Sequence, residues 1–232
     1  MRTLFVVFAL AGAPFSLKAQ IVQQGGFEAG PYAGIWQESS TNFGTPICRV
    51  SVCGTGTGTG PKSGVYWAWF GGSLLIEHGL LAQNVTIPAS PGATLEFELE
   101  IKVGINPLDF LEVRLDDSLI GRWTADQSPQ FQKYVPISID ITPWAGSGVA
   151  RLEFESLCLG GTFSNFFVDD IRISLSTCYA DCEEDGDKDV FDFLCFQSRF
   201  AAQDPYADCE HDGDWDVFDF LCFQSAFAAC PL

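Results

Sequence analysis

The stretch Thr94-Leu-Glu-Phe-Glu-Leu-Glu-Ile-Lys-Val103 alternates apolar and charged side chains at nearly every step. Successive side chains of a β-strand point to opposite faces of a sheet, so this period of two predicts a half-buried strand. The predicted inner face carries Leu95, Phe97, Leu99 and Ile101. The predicted solvated face carries Glu96, Glu98, Glu100 and Lys102. The stretch therefore indicates a sheet that covers a core with one of its faces.

Similar strand-like segments lie on both sides of this one, at residues 66–72, 110–116, 149–154 and 167–175. Turn signals separate them, among them Pro91-Gly92, Asp116-Asp117 and Gly146-Ser147-Gly148. No long helical period occurs before residue 190. The sequence thus predicts a mainly β chain, with a jelly-roll β-sandwich over residues 20–177.

The remaining residues, 178–232, contain an internal repeat. Asp181-Cys-Glu-Glu-Asp-Gly-Asp-Lys-Asp-Val-Phe-Asp-Phe-Leu-Cys-Phe-Gln-Ser198 recurs 27 residues later, from Asp208 to Ser225, with 16 of 18 positions identical. Each copy has oxygen donors at loop positions 1, 3 and 5, glycine at 6 and a carboxylate at 12, which is the pattern of an EF-hand-like calcium loop. Phenylalanines then recur at helical spacing in each copy.

This spacing predicts two calcium ions. The donors of the first loop would be Asp181, Glu183, Asp185, Asp187 (through its carbonyl), Asp189 and Asp192. Those of the second would be Asp208, Glu210, Asp212, Asp214 (through its carbonyl), Asp216 and Asp219. The alternative is a solvated acidic loop, in which closely spaced carboxylates would repel one another without a counterion.

Two tandem loop–helix units with aspartate at position 12 resemble a dockerin domain, in a variant that carries cysteines. The resemblance implies a small α module that docks to a cohesin-like or cell-surface protein. The matching positions are Val190-Phe191 with Gln197-Ser198, and Val217-Phe218 with Gln224-Ser225. The alternative for the apolar doublets is that they pack the core of the module itself. Glutamate at position 3, and Lys188 and Trp215 at position 8, depart from the usual dockerin pattern.

The front domain resembles carbohydrate-binding and galactose-binding-like jelly rolls through three short motifs. These are Gly25-Gly-Phe-Glu28, Tyr66-Trp-Ala-Trp-Phe-Gly-Gly72 and Phe167-Val-Asp-Asp-Ile171. The resemblance implies a third calcium site formed by Glu28 with Asp169 or Asp170. Alternation places Asp169 on the same face as Ile171 and Ile173, where an unpaired charge is costly. A salt bridge with Arg172 or Arg151 is the alternative.

Aromatic side chains are the candidate polysaccharide contacts, because they can stack on the apolar faces of sugar rings. The candidates are Trp36, Trp67, Trp69, Trp123 and Trp144. Trp67 and Trp69 share one face of their strand, opposite Tyr66, Ala68 and Phe70. One of these two sets must be core, and each tryptophan has packing in the core as its alternative role. We interpret Gly54-Thr-Gly-Thr-Gly-Thr-Gly60 as a flexible loop and not as a phosphate loop, since it lacks the lysine and the following helix.

Residues 1–19 have the features of a secretory signal peptide, which implies an oxidising compartment. The nine cysteines are therefore expected mainly to form disulfides. A buried first strand is the alternative for that segment. Six cysteines of the tail allow fifteen pairings, from which we favour a clasp between Cys178 and Cys230. Cys48 and Cys53 are expected to pair locally, which leaves Cys158 as a buried free thiol. The predicted protein is secreted, either extracellular or associated with the cell surface, with no transmembrane anchor.

The net charge of −18 argues against nucleic acid and anionic lipid as partners. Three functions remain open: a non-catalytic polysaccharide-binding protein, a small glycoside hydrolase or lyase, and a structural surface protein whose sandwich binds protein. Glu96, Glu98 and Glu100 could supply a glycosidase carboxylate pair, but their alternation with core residues favours a solvated face. His78 is the only histidine outside the predicted calcium loops, and this together with the absence of catalytic motifs favours the non-catalytic protein.

Overall fold

A computed structural model describes residues 20–88, 90, 92–176, 178–183, 188–210 and 212–230. The predicted signal peptide (residues 1–19) lies outside the described residues, as do Asp185 and Asp187 of the first predicted calcium loop.

Within the described residues, ten antiparallel strands form two five-stranded sheets, which confirms the predicted β-sandwich. Sheet A has the order β1-β4-β9-β6-β7, with β1 Gln37–Ser40, β4 Glu77–Ile87, β9 Gly148–Cys158, β6 Phe110–Leu115 and β7 Ser118–Thr124. Sheet B has the order β2-β3-β10-β5-β8, with β2 Ile47–Arg49, β3 Tyr66–Gly71, β10 Asn165–Ser176, β5 Gly92–Val103 and β8 Val135–Asp140. A helical turn, α1 Val50–Cys53, and 3-10 turns at Ala125–Gln130 and Thr142–Trp144 complete the sandwich.

The core lies between the two sheets and uses the inner face predicted for residues 94–103. Leu95, Leu99 and Ile101 are fully buried there, and Phe97 packs edge-on against Phe154 of sheet A at 5.2 Å between ring centroids. The strict alternation of β5 therefore positions its apolar side chains as the sequence indicates.

A β-bulge interrupts the alternation of β10. The pairing register with β5 shifts between Asp169 and Arg172, and Asp170 has a φ of 52°, in the left-handed region. An extra residue on one strand reverses which face the following side chains occupy. Val168 and Ile171 consequently both reach the inter-sheet core, whereas Asp169 lies on the outer face of sheet B. The prediction that Asp169 shares a face with Ile171 is therefore wrong.

The tail contains two helices, α2 Val190–Ala201 and α3 Val217–Ala229, with a 3-10 turn at Pro205–Ala207 between them. Asp189 and Asp216 cap them through capping boxes, in which Asp192 and Asp219 reach back to the cap backbone. The six phenylalanines at helical spacing pack together, and Phe196 stacks on Phe223 at 4.2 Å. The tail thus has a small aromatic core of its own, separate from the sandwich core.

Four disulfides are present among the described residues. The predicted pairs Cys48–Cys53 and Cys178–Cys230 are confirmed. The tail adds Cys182–Cys195 and Cys209–Cys222, which join the second position of each loop to the helix that follows. Cys158 is free and buried, as predicted. Within the described part of the chain, no helix is long and apolar enough to cross a membrane.

Candidate functional site

Residues 54–65, which we call the cover loop, lie across the outer face of sheet B. Gly56 approaches the Trp69 ring so closely that a β-carbon there would lie 2.3 Å from the ring. At Gly58 a β-carbon would lie 2.2 Å from Phe167. The segment is thus packed on the sheet, a long-range contact that the sequence does not show, and its interpretation as a flexible loop stays a prediction.

Polar groups of the sheet hold the cover loop in place. The Glu100 carboxylate accepts the Thr59 N–H at 3.0 Å, and the Tyr134 hydroxyl donates to the Gly60 carbonyl at 2.7 Å. The Asn165 side-chain amide donates to the Gly56 carbonyl at 2.9 Å. These contacts fix the loop by hydrogen bonds along its length.

An aromatic group lies on the outer face, beside and beneath this loop. Trp67 and Trp69 are near-parallel, with ring centroids 6.5 Å apart, and Phe167 makes edge contacts with both. Ala68 and Phe70 belong to the inter-sheet core. Of the two faces of β3, the one with Tyr66, Ala68 and Phe70 is therefore the core face. Trp67 is nevertheless fully buried on its outer face.

Trp69 remains partly exposed and lines an open pocket of about 300 Å³. Its indole N–H donates to the Asn165 side-chain oxygen at 3.0 Å, which fixes the ring orientation. Phe163, 48% exposed, forms another part of the lining, which is almost entirely apolar. The sequence analysis did not single out Phe163, because it lies in a loop with no strand pattern.

The other candidate tryptophans pack into the protein. Trp36 is 6% exposed, contacts Phe27 and donates its indole N–H to the Gln24 carbonyl. Trp123 packs edge-on against Phe97, and Trp144 packs against the same core. The hypothesis of an exposed sugar platform is therefore wrong for Trp36 and, with the cover loop in place, for Trp67.

The glutamates predicted on the solvated face of β5 have structural partners. Glu96 accepts hydrogen bonds from Ser174 and Arg172, which lower the pKa of its carboxyl, and Glu98 pairs with Lys62 at 3.1 Å. Glu100 is fully buried, so the prediction that it is solvated is wrong. The cover loop, which is distant in sequence, accounts for this burial.

The acidic residues of the predicted third calcium site are hydrogen-bonded to the cover loop and the residue after it. One Glu28 oxygen accepts the N–H groups of Val65 and Tyr66, and Asp170 accepts the Ser63 hydroxyl. Asp169 accepts the Lys62 N–H at 2.8 Å and the Ser63 N–H at 3.2 Å.

Burial raises the pKa of Asp169 to about 7 despite these donors. The alternative of a salt bridge is also wrong, since Arg172 pairs with Glu96 and Arg151 with Glu153. The third calcium site stays a prediction, and in this structure backbone N–H groups bind the Asp169 and Glu28 carboxylates.

The described residues of the second predicted calcium loop include its glycine and its first donor. Gly213, at position 6, has a φ of 87°, and Asp208 accepts the N–H groups of Asp212 and Gly213. A small desolvation, and then the negative charges of neighbouring carboxylates beginning with Asp212, raise the pKa of the exposed Glu210.

The last predicted donor has the same contact in both loops. Asp192 accepts the Asp189 N–H at 2.8 Å, and Asp219 accepts the Asp216 N–H at 2.8 Å. Among the side chains that the structure describes, no group of three or more His, Cys, Asp and Glu residues is arranged to hold a metal ion. The two calcium ions accordingly stay predictions.

The apolar doublets of the tail point outward. Their exposures are nearly the same in the two repeats: 62% and 57% for Val190 and Phe191, and 62% and 56% for Val217 and Phe218. The alternative that they form the module's core is therefore wrong, because the other phenylalanines fill it. Leu194 and Leu221, which sequence reasoning missed, extend each doublet into an exposed apolar strip.

Two further surfaces were not predicted. A polar groove of about 460 Å³ beside β1 is lined by Gln37, Asn84 and Arg151, among others. At one end of the sandwich, exposed apolar side chains form what we call the apolar rim, which consists of Leu74, Leu75, Ile76, Ile105, Leu108, Leu159 and Phe163. Loops of the rim are joined by the hydrogen bond from Gly161 N–H to the Leu74 carbonyl.

No protein-family model and no curated protein matches this chain. Solved structures with similar folds include TmCBM61 in complex with β-1,4-galactotriose, at a TM-score of 0.43 and 15% identity, covering 68% of this chain and 99% of that chain. A family 16 carbohydrate-binding module has a TM-score of 0.44 and 15% identity, covering 66% of this chain and 99% of that chain.

A Stig cyclase from Fischerella is also similar, at a TM-score of 0.40 and 14% identity, covering 68% of this chain and 97% of that chain. The structural neighbours therefore include carbohydrate-binding β-sandwiches as well as a cyclase. A fold does not by itself determine a function, which depends on the geometry and chemistry of the site.

Proposed function

We propose that this chain is a secreted, non-catalytic protein that binds a polysaccharide through the Trp69–Phe163 pocket of its sandwich. The observation that carries the proposal is the Trp69 ring, which is partly exposed and held in one orientation by Asn165. A fixed aromatic face in an open apolar pocket suits the apolar face of a sugar ring.

The charge of the protein narrows the class of polysaccharide. A chain with a net charge of −18 repels polyanions, so polyuronates and sulfated glycans are disfavoured. Uncharged polysaccharides are not repelled by this negative charge, and their rings present C–H groups to an aromatic side chain. The proposed ligand is therefore an uncharged polysaccharide.

The mature protein, residues 20–232, would be screened in calcium against cellulose, β-1,3-glucan, xylan, galactan and polygalacturonate. Binding and release of reducing sugar would be read on the same plate, which separates a binding protein from a hydrolase. The variants Trp69→Ala and Phe163→Ala should each weaken binding at least about tenfold, since each removes an aromatic contact with the sugar that is worth about 1.4 kcal/mol or more.

Two control variants sharpen this screen. Phe43→Ala removes an exposed phenylalanine, 58% accessible, that lies outside the pocket lining, and should leave binding unchanged. Asn84→Ala alters the polar groove, and loss of binding in this variant alone would move the sugar site there. Release of reducing sugar would contradict the non-catalytic proposal.

The tail module is proposed to hold two calcium ions in its loops. The positive φ of Gly213, the ordered Asp208 carboxylate and the like-charge environment of Glu210 support the second site. The identical sequence pattern supports the first site, through the donors from Asp181 to Asp192. Oxygen ligands at this spacing suit a hard, large cation.

The same module is proposed to dock to a cohesin-like or cell-surface protein. Its exposed strips, one around Phe191 and the other around Phe218, support this, because exposed apolar residues of similar pattern on two repeats indicate an interaction surface. In a pull-down from the source cells, Phe191→Asp combined with Phe218→Asp should lose the partner that the wild-type module retains. Equal recovery by the variant would contradict docking through these strips.

Protein binding by the sandwich is a second candidate function, which the apolar rim favours. Its exposed side chains, such as Leu75 (67%) and Ile105 (75%), are of the kind that marks a protein-interaction surface. If the polysaccharide screen is negative, a Leu75→Asp variant that loses a protein retained by the wild type would support this candidate.

Disulfides in both parts of the chain suit the proposed extracellular location.

A further inference from the structure

We infer that the cover loop (residues 54–65) is a lid, and that an uncharged oligosaccharide binds along the aromatic face that the loop occupies in this structure. This inference rests on the proposed polysaccharide binding and deepens it, because it names a longer site and the element that controls access to it. Gly56 and Thr57 form one wall of the Trp69–Phe163 pocket, so movement of the loop would lengthen that pocket into a cleft.

The face beside and beneath the loop is built like a binding platform. Trp67, Trp69 and Phe167 form a contiguous aromatic group on the outside of sheet B, where a sandwich of this kind does not need apolar side chains for its core. Large aromatic groups on the outer face of a sheet otherwise remain exposed and mark interaction sites. Here the glycine-containing loop covers part of this face.

The loop occupies this face with groups that a sugar can replace. Its glycines alternate with threonines, and Gly56 and Gly58 lie against Trp69 and Phe167 while the threonines at 57 and 59 are exposed. The loop thus places C–H groups over the rings and hydroxyls toward solvent. A pyranose ring has the same distribution, with an apolar C–H face and hydroxyls at its edge.

Three buried polar atoms of this face have no hydrogen-bond partner among the described residues. They are the Trp67 indole N–H, a donor, one oxygen of the Glu100 carboxylate, an acceptor, and one Glu98 oxygen, which lies 3.1 Å from the Lys62 ammonium. Buried polar groups are normally paired, and an unpaired one destabilises the protein. A sugar hydroxyl both donates and accepts, so an oligosaccharide chain in place of the loop could satisfy both kinds of atom.

The attachments of the loop are suited to reversible opening. It is held by hydrogen bonds, including those from Thr59 N–H to Glu100 and from Tyr134 to the Gly60 carbonyl, and no large apolar side chain of residues 54–60 anchors it. A ligand that binds only the open state must displace these contacts, so its apparent affinity equals its affinity for the open state multiplied by the fraction of molecules that are open. Any change that opens the loop should therefore tighten binding.

Gly58→Ala is the opening variant. A β-carbon at residue 58 would lie 2.2 Å from Phe167 and 2.9 Å from Glu100, so the closed loop cannot accommodate it. Tyr134→Phe is a second opening variant that leaves the backbone unchanged and removes only the hydrogen bond to Gly60. Thr59→Ala is the matched control, because it changes an exposed side chain of the same loop.

Binding of cellohexaose and of β-1,4-galactohexaose would be measured by calorimetry for the wild type and the three variants. Acrylamide quenching of tryptophan fluorescence would report opening independently of binding. We expect both opening variants to show greater quenching and an apparent Kd lowered by at least about fivefold for whichever hexasaccharide binds. In the wild type, that hexasaccharide should also accelerate hydrogen exchange at the amides of Thr59, Lys62 and Ser63.

The outcomes distinguish failure of the lid from failure of polysaccharide binding. Suppose that the wild type binds a hexasaccharide, and that the opening variants show increased quenching but unchanged or weaker binding. This result would overturn the lid and leave polysaccharide binding intact. Binding by the opening variants alone would support both. If neither hexasaccharide binds to any of the four proteins, the lid inference fails together with its ligand class.

Discussion

The Lys188 ammonium donates to the Phe227 carbonyl at 2.6 Å, and so links the first loop of the tail to the last turn of the second helix. It also donates to the Cys230 carbonyl at 2.6 Å. The corresponding residue of the second loop, Trp215, donates its indole N–H to the Asp204 carbonyl just beyond α2. The residue at position 8 of each loop thus donates to carbonyls at or just beyond the end of the other repeat's helix.

Lys188→Ala should destabilise the tail module by about 1–2 kcal/mol, because the last carbonyls of α3 lose a charged donor. Denaturant unfolding followed by the far-ultraviolet dichroism at 222 nm would measure this, since the long helices of the described chain lie in the tail. Lys133→Ala, which removes an exposed lysine of the sandwich, is the control. An unchanged midpoint for Lys188→Ala would show that the cross-link does not stabilise the module.

Calcium binding should be lost one loop at a time. We expect calorimetric titration of calcium-free wild type to give two ions, and Asp208→Asn to give one, because the first donor of the second loop loses its charge. Asp204→Asn, in the same module but outside both loops, should still bind two. A stoichiometry of zero for the wild type would contradict the calcium proposal, and three would support the additional site near Glu28.

Cys158 should be inert in the folded protein. Burial raises the pKa of its thiol to about 12, so almost no thiolate exists at neutral pH. Iodoacetamide should leave the native protein unmodified, and should add a single label after denaturation without reductant, since the other eight cysteines are disulfide-bonded. Labelling of the native protein would contradict the described burial of Cys158.

Asp169 should make the sandwich less stable as the pH rises. Its pKa is about 7 in the folded protein against an ordinary value of 3.8, so the folded state binds the proton more tightly than the unfolded state. The stabilisation from this group is complete below about pH 4 and is lost as the pH rises toward 7.

The comparison of wild type with Asp169→Asn isolates this effect from the other acidic residues. In EDTA, the unfolding free energy of wild type minus that of the variant should fall by a few kcal/mol between pH 4 and 7, at about 1.4 kcal/mol per pKa unit. A difference that rises over the same interval would show that Asp169 has a depressed pKa and a different environment.

The local patterns of the sequence predicted the sandwich, the inner face of β5, the helices of the tail and the clasp between Cys178 and Cys230. They failed where contacts distant in sequence decide the result. Glu100 was expected in solvent because alternation cannot show that the cover loop lies over it. Asp169 was assigned to the wrong face because a single bulge at Asp170 shifts the register.

The candidate site was predicted only in part for the same reason. The sequence indicated Trp67 and Trp69 but could not tell which would be covered, because that depends on the path of residues 54–65. Phe163 lies in a loop without periodicity, so no pattern singled it out. The pairs Cys182–Cys195 and Cys209–Cys222 follow from the folded loop–helix units and not from cysteine spacing alone.

Polysaccharide binding at Trp69 can be measured by affinity electrophoresis of wild type, Trp69→Ala and Phe43→Ala in gels containing galactan, xylan or β-glucan. We expect at least one uncharged polysaccharide to retard the wild type and Phe43→Ala equally, and Trp69→Ala to migrate as in a gel without polysaccharide. Equal retardation of all three proteins would contradict the assignment of the site, and no retardation by any polysaccharide would contradict the proposed function.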